Sequence, residues 1–222
     1  MTGSDVFMNK HIISKKRVAD HGEVYTRARE VNAMLDLVKQ ETERIESRFL
    51  EPACGTGNFL AEILERKLRV VEARYRKSQL EYERNAVLAV SSIYGIDILE
   101  DNIKSCRKRL YNIFDQKYSA LFNRKAKDDC RNAVRHILSR NIVCGDALSM
   151  KTVGGTPKPI VFSEWSPLNG SMLKRRDYML SYLLTKQHQM VLFSDEGDLA
   201  DINEPVKEYP ATHFLKVGDV EK

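Results

Sequence analysis

Apolar residues along this chain recur at two spacings, and the alternation between them predicts a mixed α/β protein. Val31, Met34, Leu35 and Val38 recur at three- and four-residue intervals and predict one helix face. Thr26 is placed to N-cap that helix, with Glu30 in its first turn. Phe49-Leu50-Glu51 reads as the end of a hydrophobic strand. From Asn58 to about Arg84, Leu60, Leu64, Leu68, Val71, Tyr75 and Tyr82 keep helical spacing in a charged background. They predict one long helix or two abutting ones. A further apolar segment, Ala86 to Val90, precedes Ile93–Ile98, which predicts a short buried strand finishing in an acid. Asp101 and Asn102 open another helix, carried by Ile103, Cys106, Leu110, Ile113 and Tyr118. The polar, basic stretch from Leu121 to Arg135 predicts a loop and a short helix, and Asn141–Leu148 a third strand.

Strands separated by helical stretches imply a mostly parallel sheet, whose ligands bind at its carboxyl edge. Three successive strand ends carry acids there: Glu51, Asp97 and Asp146. The first is followed by Pro52-Ala53-Cys54-Gly55-Thr56-Gly57-Asn58-Phe59. Glycine in such a turn lets a ligand approach the main chain, and the amides opening the next helix face whatever sits there. The carboxylate of Glu51 repels phosphate but accepts from an amine or a sugar hydroxyl. A dinucleotide turn fits less well, because Leu60 stands where its third glycine belongs. Asp97 is either an acceptor for ribose hydroxyls or a cap for the next helix.

Glu-Pro-Ala-Cys-Gly-Thr-Gly-Asn-Phe resembles motif I of S-adenosylmethionine-dependent methyltransferases, in the wording of the branch that methylates adenine N6 in DNA. Gly-Glu-Val-Tyr-Thr-Arg at residues 22–27 is similar to motif X, which precedes motif I in that branch. The resemblance covers roughly the first 150 residues. It implies a Rossmann-like class I methyltransferase fold, with a mostly parallel sheet and helices on both faces. It also implies S-adenosyl-L-methionine as cofactor. Carried over residue by residue, Tyr25 and Thr26 would lie over the methionine end. Glu51, Ala53, Cys54, Gly55, Gly57, Asn58 and Phe59 would form the turn. Asp97 would take the ribose and Ile98 one purine face, with Asp146 accepting from the adenine amine and Ala147 packing beside it.

One part of the family pattern is missing. No Asn/Asp/Ser-Pro-Pro-aromatic motif occurs in the chain. The fourth-strand slot reads Pro159-Ile160-Val161-Phe162-Ser163-Glu164-Trp165-Ser166-Pro167-Leu168. Ser166-Pro167-Leu168 is the nearest relic; Trp165 reads as a core anchor or a base-stacking ring, and the catalytic residues stay unassigned. Two readings remain: an adenine-specific DNA methyltransferase of a restriction-modification system working with a second methyltransferase or specificity subunit, or a catalytically silent subunit that binds cofactor and DNA.

Composition sets the outer bounds. The 222 residues suit one domain, with residues 1–40 as an arm and motif X helix, 41–150 as the cofactor-binding core and 151–222 as a short divergent part. A net charge of +5 permits DNA binding without requiring it. No apolar run reaches the ~20 residues that span a bilayer, so no membrane role is expected. Cys54, Cys106, Cys130 and Cys144 show no metal spacing, which argues for a reducing, cytoplasmic setting without a bound metal. Lys174-Arg175-Arg176 is either a phosphate grip or the start of a helix through Met179, Leu180, Tyr182, Leu183 and Leu184, and Met190–Phe193 reads as a strand.

Overall fold

The computed structural model describes residues 26–183 and 204–220. Tyr25, Leu184 and the Met190–Phe193 segment lie outside the described residues. Helix α1 (Ala28–Asp36) and the short α2 (Lys39–Thr42) precede strand β1 (Phe49–Glu51). Two helices, α3 (Asn58–Tyr75) and α4 (Gln79–Ser91), lead to β2 (Ile93–Asp97). Helix α5 (Glu100–Phe122), a 3-10 turn (Asn123–Lys125) and α6 (Asp128–Asn141) lead to β3 (Ile142–Asp146) and β4 (Lys151–Thr152).

These four strands form one sheet in the order β1-β2-β3-β4. The first three are parallel, with Phe49 beside Ile93 and Gly95 beside Ile142; β4 runs antiparallel to β3. With strands added in one direction, each right-handed crossover places its helices on the same side. Helices α3 to α6 accordingly share one core with Phe49, Ile93 and Ile142. Leu60, Leu64, Leu68, Val90, Leu110 and Val134 are all fully buried in it.

The opposite face carries Tyr94, Ile96 and Val143, packed against Ile160, Phe162, Leu180 and Leu183. Helices on both faces were expected. Among the described residues, that second face is instead covered by a hairpin of β5 (Val161–Pro167) and β6 (Met172–Met179), with a helical turn beginning at Leu180. Strand β6 also pairs with β7 (Lys207–Glu208) and β8 (Thr212–His213), forming a second, antiparallel sheet.

Several local expectations change. Arg27, not Thr26, takes the N-cap of α1, and its amide donates to the Glu30 carboxylate at 2.8 Å. Of the two arrangements expected for the long helical run, the two-helix one forms: Ser78 N-caps α4 by accepting from the Glu81 amide. Residues 128–141 form a full helix because Cys130, Ala133, Val134, Ile137 and Leu138 make one buried stripe beneath their charged neighbours. The fourth-strand slot joins the antiparallel sheet rather than the parallel one. Lys174-Arg175-Arg176 lies in β6, where strand alternation turns Arg175 inward and its neighbours outward. Arg175 grips Asp177 through two 2.8 Å contacts between the rings of Trp165 and Tyr209, so it is not a phosphate grip.

Candidate functional site

The segment between β1 and α3 turns through two left-handed glycines, Gly55 at φ +52° and Gly57 at φ +85°. They differ in what crowds them. A β-carbon on Gly57 would lie 2.7 Å from Cys106 Sγ, so its bareness lets α5 approach. A β-carbon on Gly55 would meet nothing within 4 Å. Gly55 therefore supplies conformational freedom and an open approach to the main chain.

The turn is tied to the end of β2. The Cys54 amide donates to the Ile96 carbonyl at 2.8 Å, and the Gly55 amide to Asp97 Oδ2 at 2.9 Å. Asp97 Oδ1 accepts from the Leu99 amide at 2.8 Å and from Asn102 Nδ2 at 3.2 Å. One carboxylate thus joins the glycine turn to the opening of α5. Two oxygens offer about four lone-pair directions, so three donors leave room for about one more.

The other two acids sit in different surroundings. Glu51 is half-buried at the end of β1, and burial raises its pKa against the lowering effect of the Ala53 amide. Asp146 is held below the ordinary carboxylate range by hydrogen bonds from the Ser149 side chain and the Leu148 amide. All three acids occupy the carboxyl ends of adjacent strands, as their spacing predicts. Ile98 is exposed just past Asp97, whereas Cys54 turns inward, where hydrogen bonding with Cys106 and burial push its thiol pKa up. Ala53 is exposed and Phe59 packs on the core.

Two cavities flank this edge. A groove of about 790 Å³ runs between α1 and the start of α3, lined by Thr26, Arg27, Asn58, Glu62, Glu65 and Arg109. In it, Asn58 Nδ2 donates to the Thr26 carbonyl at 3.2 Å, joining the two segments whose wording resembles motifs X and I. A more apolar crevice of about 610 Å³ lies on the face away from the helices, among Leu50, Pro52, Ile96, Ala147, Phe162 and Leu183.

The fourth-strand slot starts near the carboxyl edge and carries its Ser166-Pro167 end away from it. It enters beside Met150, whose carbonyl accepts from the Ile160 amide. Glu164 meets Arg48, the residue before the amino end of β1, and Ser166-Pro167 continues beyond. Trp165 is buried and its Nε1 donates to Asn141 Oδ1 at 3.1 Å, which makes it a core anchor rather than a base-stacking ring.

Sequence reasoning missed Asn102 and Arg109. Asn102 had a signal, standing in the first turn of a helix that follows a strand-end acid. Arg109 had none, being one of five basic residues on the same helix. Among the described residues there is no cluster of three or more metal-ligating side chains, and no helix is long and apolar enough to cross a membrane.

Searches of curated proteins and of solved structures returned no match. The family described as MmeI, DNA-methyltransferase domain, matches residues 25–158. That span holds the glycine turn, all three strand-end acids and the Thr26–Asn58 link. A match over more than half of the chain shows that this protein belongs to the MmeI DNA-methyltransferase domain family.

Proposed function

We propose that this chain binds S-adenosyl-L-methionine at the Gly55 turn and acts in adenine-N6 methylation of DNA within a restriction-modification system. In this reading the sheet and its crossovers form the first half of a Rossmann-like class I methyltransferase fold. A partner chain supplies target recognition and the missing acceptor-site motif. The observation that carries the reading is the open, left-handed Gly55, held by Asp97 and flanked by strand-end acids on either side.

The residues present fit that cofactor chemically. Gly55 leaves space at the main chain, and the strand-end carboxylates around it suit a ligand that brings polar hydrogens rather than phosphate. Asp97 has room to accept from about one ribose hydroxyl, one fewer than the sequence suggested, because the Gly55 amide, the Leu99 amide and Asn102 already occupy it. Glu51 is free to take a second polar hydrogen. Asp146 would accept from the adenine amine, and Ile98 and Ala147 would pack on the purine. Tyr25 and Thr26 would lie over the methionine end. When bound, the cofactor supplies an electrophilic methyl group; the chain's own part is to hold and orient it away from water.

A second reading is a catalytically silent subunit. It is favoured by the lack of an Asn-Pro-Pro-Tyr-type motif and by the course of β5, which takes Ser166-Pro167 away from the strand-end acids. The deciding experiment combines calorimetry with S-adenosylhomocysteine and transfer of labelled methyl to unmethylated mixed-sequence DNA. Binding with transfer into N6-methyladenine supports the first reading without a partner. Binding without transfer by the chain alone supports a silent or partner-dependent subunit. Absence of binding refutes the cofactor assignment in both.

A further inference from the structure

Arg109 lies on α5, about two helical turns beyond Asn102, and extends into the groove at the start of α3. Its Nη1 donates to Asn58 Oδ1 at 2.5 Å, while Asn58 Nδ2 donates to the Thr26 carbonyl at 3.2 Å. A guanidinium carries donors and no acceptor, and a side-chain amide carries its acceptor and its donors on opposite sides. The guanidinium therefore decides which way the Asn58 amide faces. Flipping that amide would set its NH₂ against Arg109 and its oxygen against the Thr26 carbonyl, losing both hydrogen bonds and opposing like partial charges at each end.

We infer that Arg109 is a positioning residue: through Asn58 it holds the Thr26 segment against the glycine turn. This rests on the proposed reading of that turn as a cofactor site, and it adds a residue from outside the two motifs. Arg109 is exposed, so little of the core depends on it. Glu62 and Glu65 line the same groove, but Glu62 already meets Arg66 and Arg69. The link from Arg109 thus runs toward Asn58. It ties three elements across the mouth of the groove: α5, the first residue of α3 and the lead-in to α1.

The test compares Arg109→Met, Arg109→Lys and Asn58→Ala, singly and with Arg109→Met and Asn58→Ala combined. In the free protein, amide hydrogen exchange at residues 28–31 should rise about fivefold in Arg109→Met, with exchange in α6 and the thermal midpoint unchanged. Affinity for S-adenosylhomocysteine should fall about five- to tenfold in Arg109→Met and recover to within about twofold in Arg109→Lys. In the Asn58→Ala background, Arg109→Met should change neither reading further. A full effect of Arg109→Met in that background would mean that Arg109 contacts the ligand directly, which overturns the inference. Unchanged exchange in Arg109→Met would overturn it as well. If the unmutated chain fails to bind S-adenosylhomocysteine, the cofactor reading fails by that result, and the exchange measurement still judges the link.

Discussion

Lys67 is the most informative residue to perturb, because its environment sets a measurable pH dependence. It lies fully buried on α3, and its Nζ donates to the Ile45 carbonyl at 2.9 Å, to Ser92 Oγ at 2.6 Å and to the Ser47 carbonyl. All three acceptors are neutral, so the ammonium has no direct counter-charge. Burial lowers its pKa to about 7, opposed by the more distant charges of Glu46 and Glu41. A lysine in the unfolded chain titrates near 10.4.

The sign follows from proton counting. Below about pH 7 the lysine is protonated in both states, and its contribution, a constant cost, does not vary with pH. Between about 7 and 10.4 the unfolded chain holds a proton that the folded one lacks, so the unfolding free energy rises with pH. Each unit is about 1.4 kcal/mol, which bounds the whole rise at roughly 4–5 kcal/mol. Urea denaturation at several pH values between 6 and 10 measures it. Lys67→Met should remove this slope while costing on the order of 1–3 kcal/mol for each buried acceptor left unsatisfied. The difference between the two proteins isolates Lys67 from the cysteines and tyrosines that titrate in the same range. Parallel stability curves for the two would refute the reasoning.

Asp97→Ala should weaken S-adenosylhomocysteine binding at least tenfold, about 1.4 kcal/mol, and also lower the thermal midpoint by releasing Gly55 and Leu99. Calorimetry with unchanged affinity would count against it. Asp146→Ala should weaken binding comparably with almost no change in melting, since its partners are the amides of an exposed turn. Gly55→Ala should cost about 1–2 kcal/mol for its left-handed backbone alone, whereas Gly57→Ala should cost more, because its β-carbon also meets Cys106. Equal melting of these two variants would refute the distinction. Asp177→Ala should cost roughly 3–5 kcal/mol, as it leaves buried Arg175 without its carboxylate, and differential scanning calorimetry reads that directly.

The parallel half of the fold was legible because its strands are short apolar runs ending in acids, and its helices carry strong stripes. Glycine at positions 55 and 57 announced the turn, since few other residues accept those φ values. Asp97 could be read two ways, and no sequence argument weighs a distant Gly55 amide against a nearby Leu99 amide. The helix at 128–141 was obscured because polar and charged residues together outnumber its narrow apolar stripe. Arg175 was illegible in kind: three basic residues in a row look solvated until a strand turns every second one inward. The Arg109–Asn58–Thr26 link depends on side chains from three elements and has no local pattern at all.

The helical pair α3–α4 also constrains how the sheet forms. Strands β1 and β2 pair directly, yet roughly 40 residues separate Phe49 from Ile93. Bringing those ends together from an open chain carries a loop-closure entropy that their three-residue ladder offsets poorly. Antiparallel packing of α3 on α4 shortens the effective loop with contacts that are close in sequence, and such contacts form early. Loop entropy thus favours helix docking before strand pairing. On that order the Gly55 turn, whose shape depends on the end of β2, would be completed last.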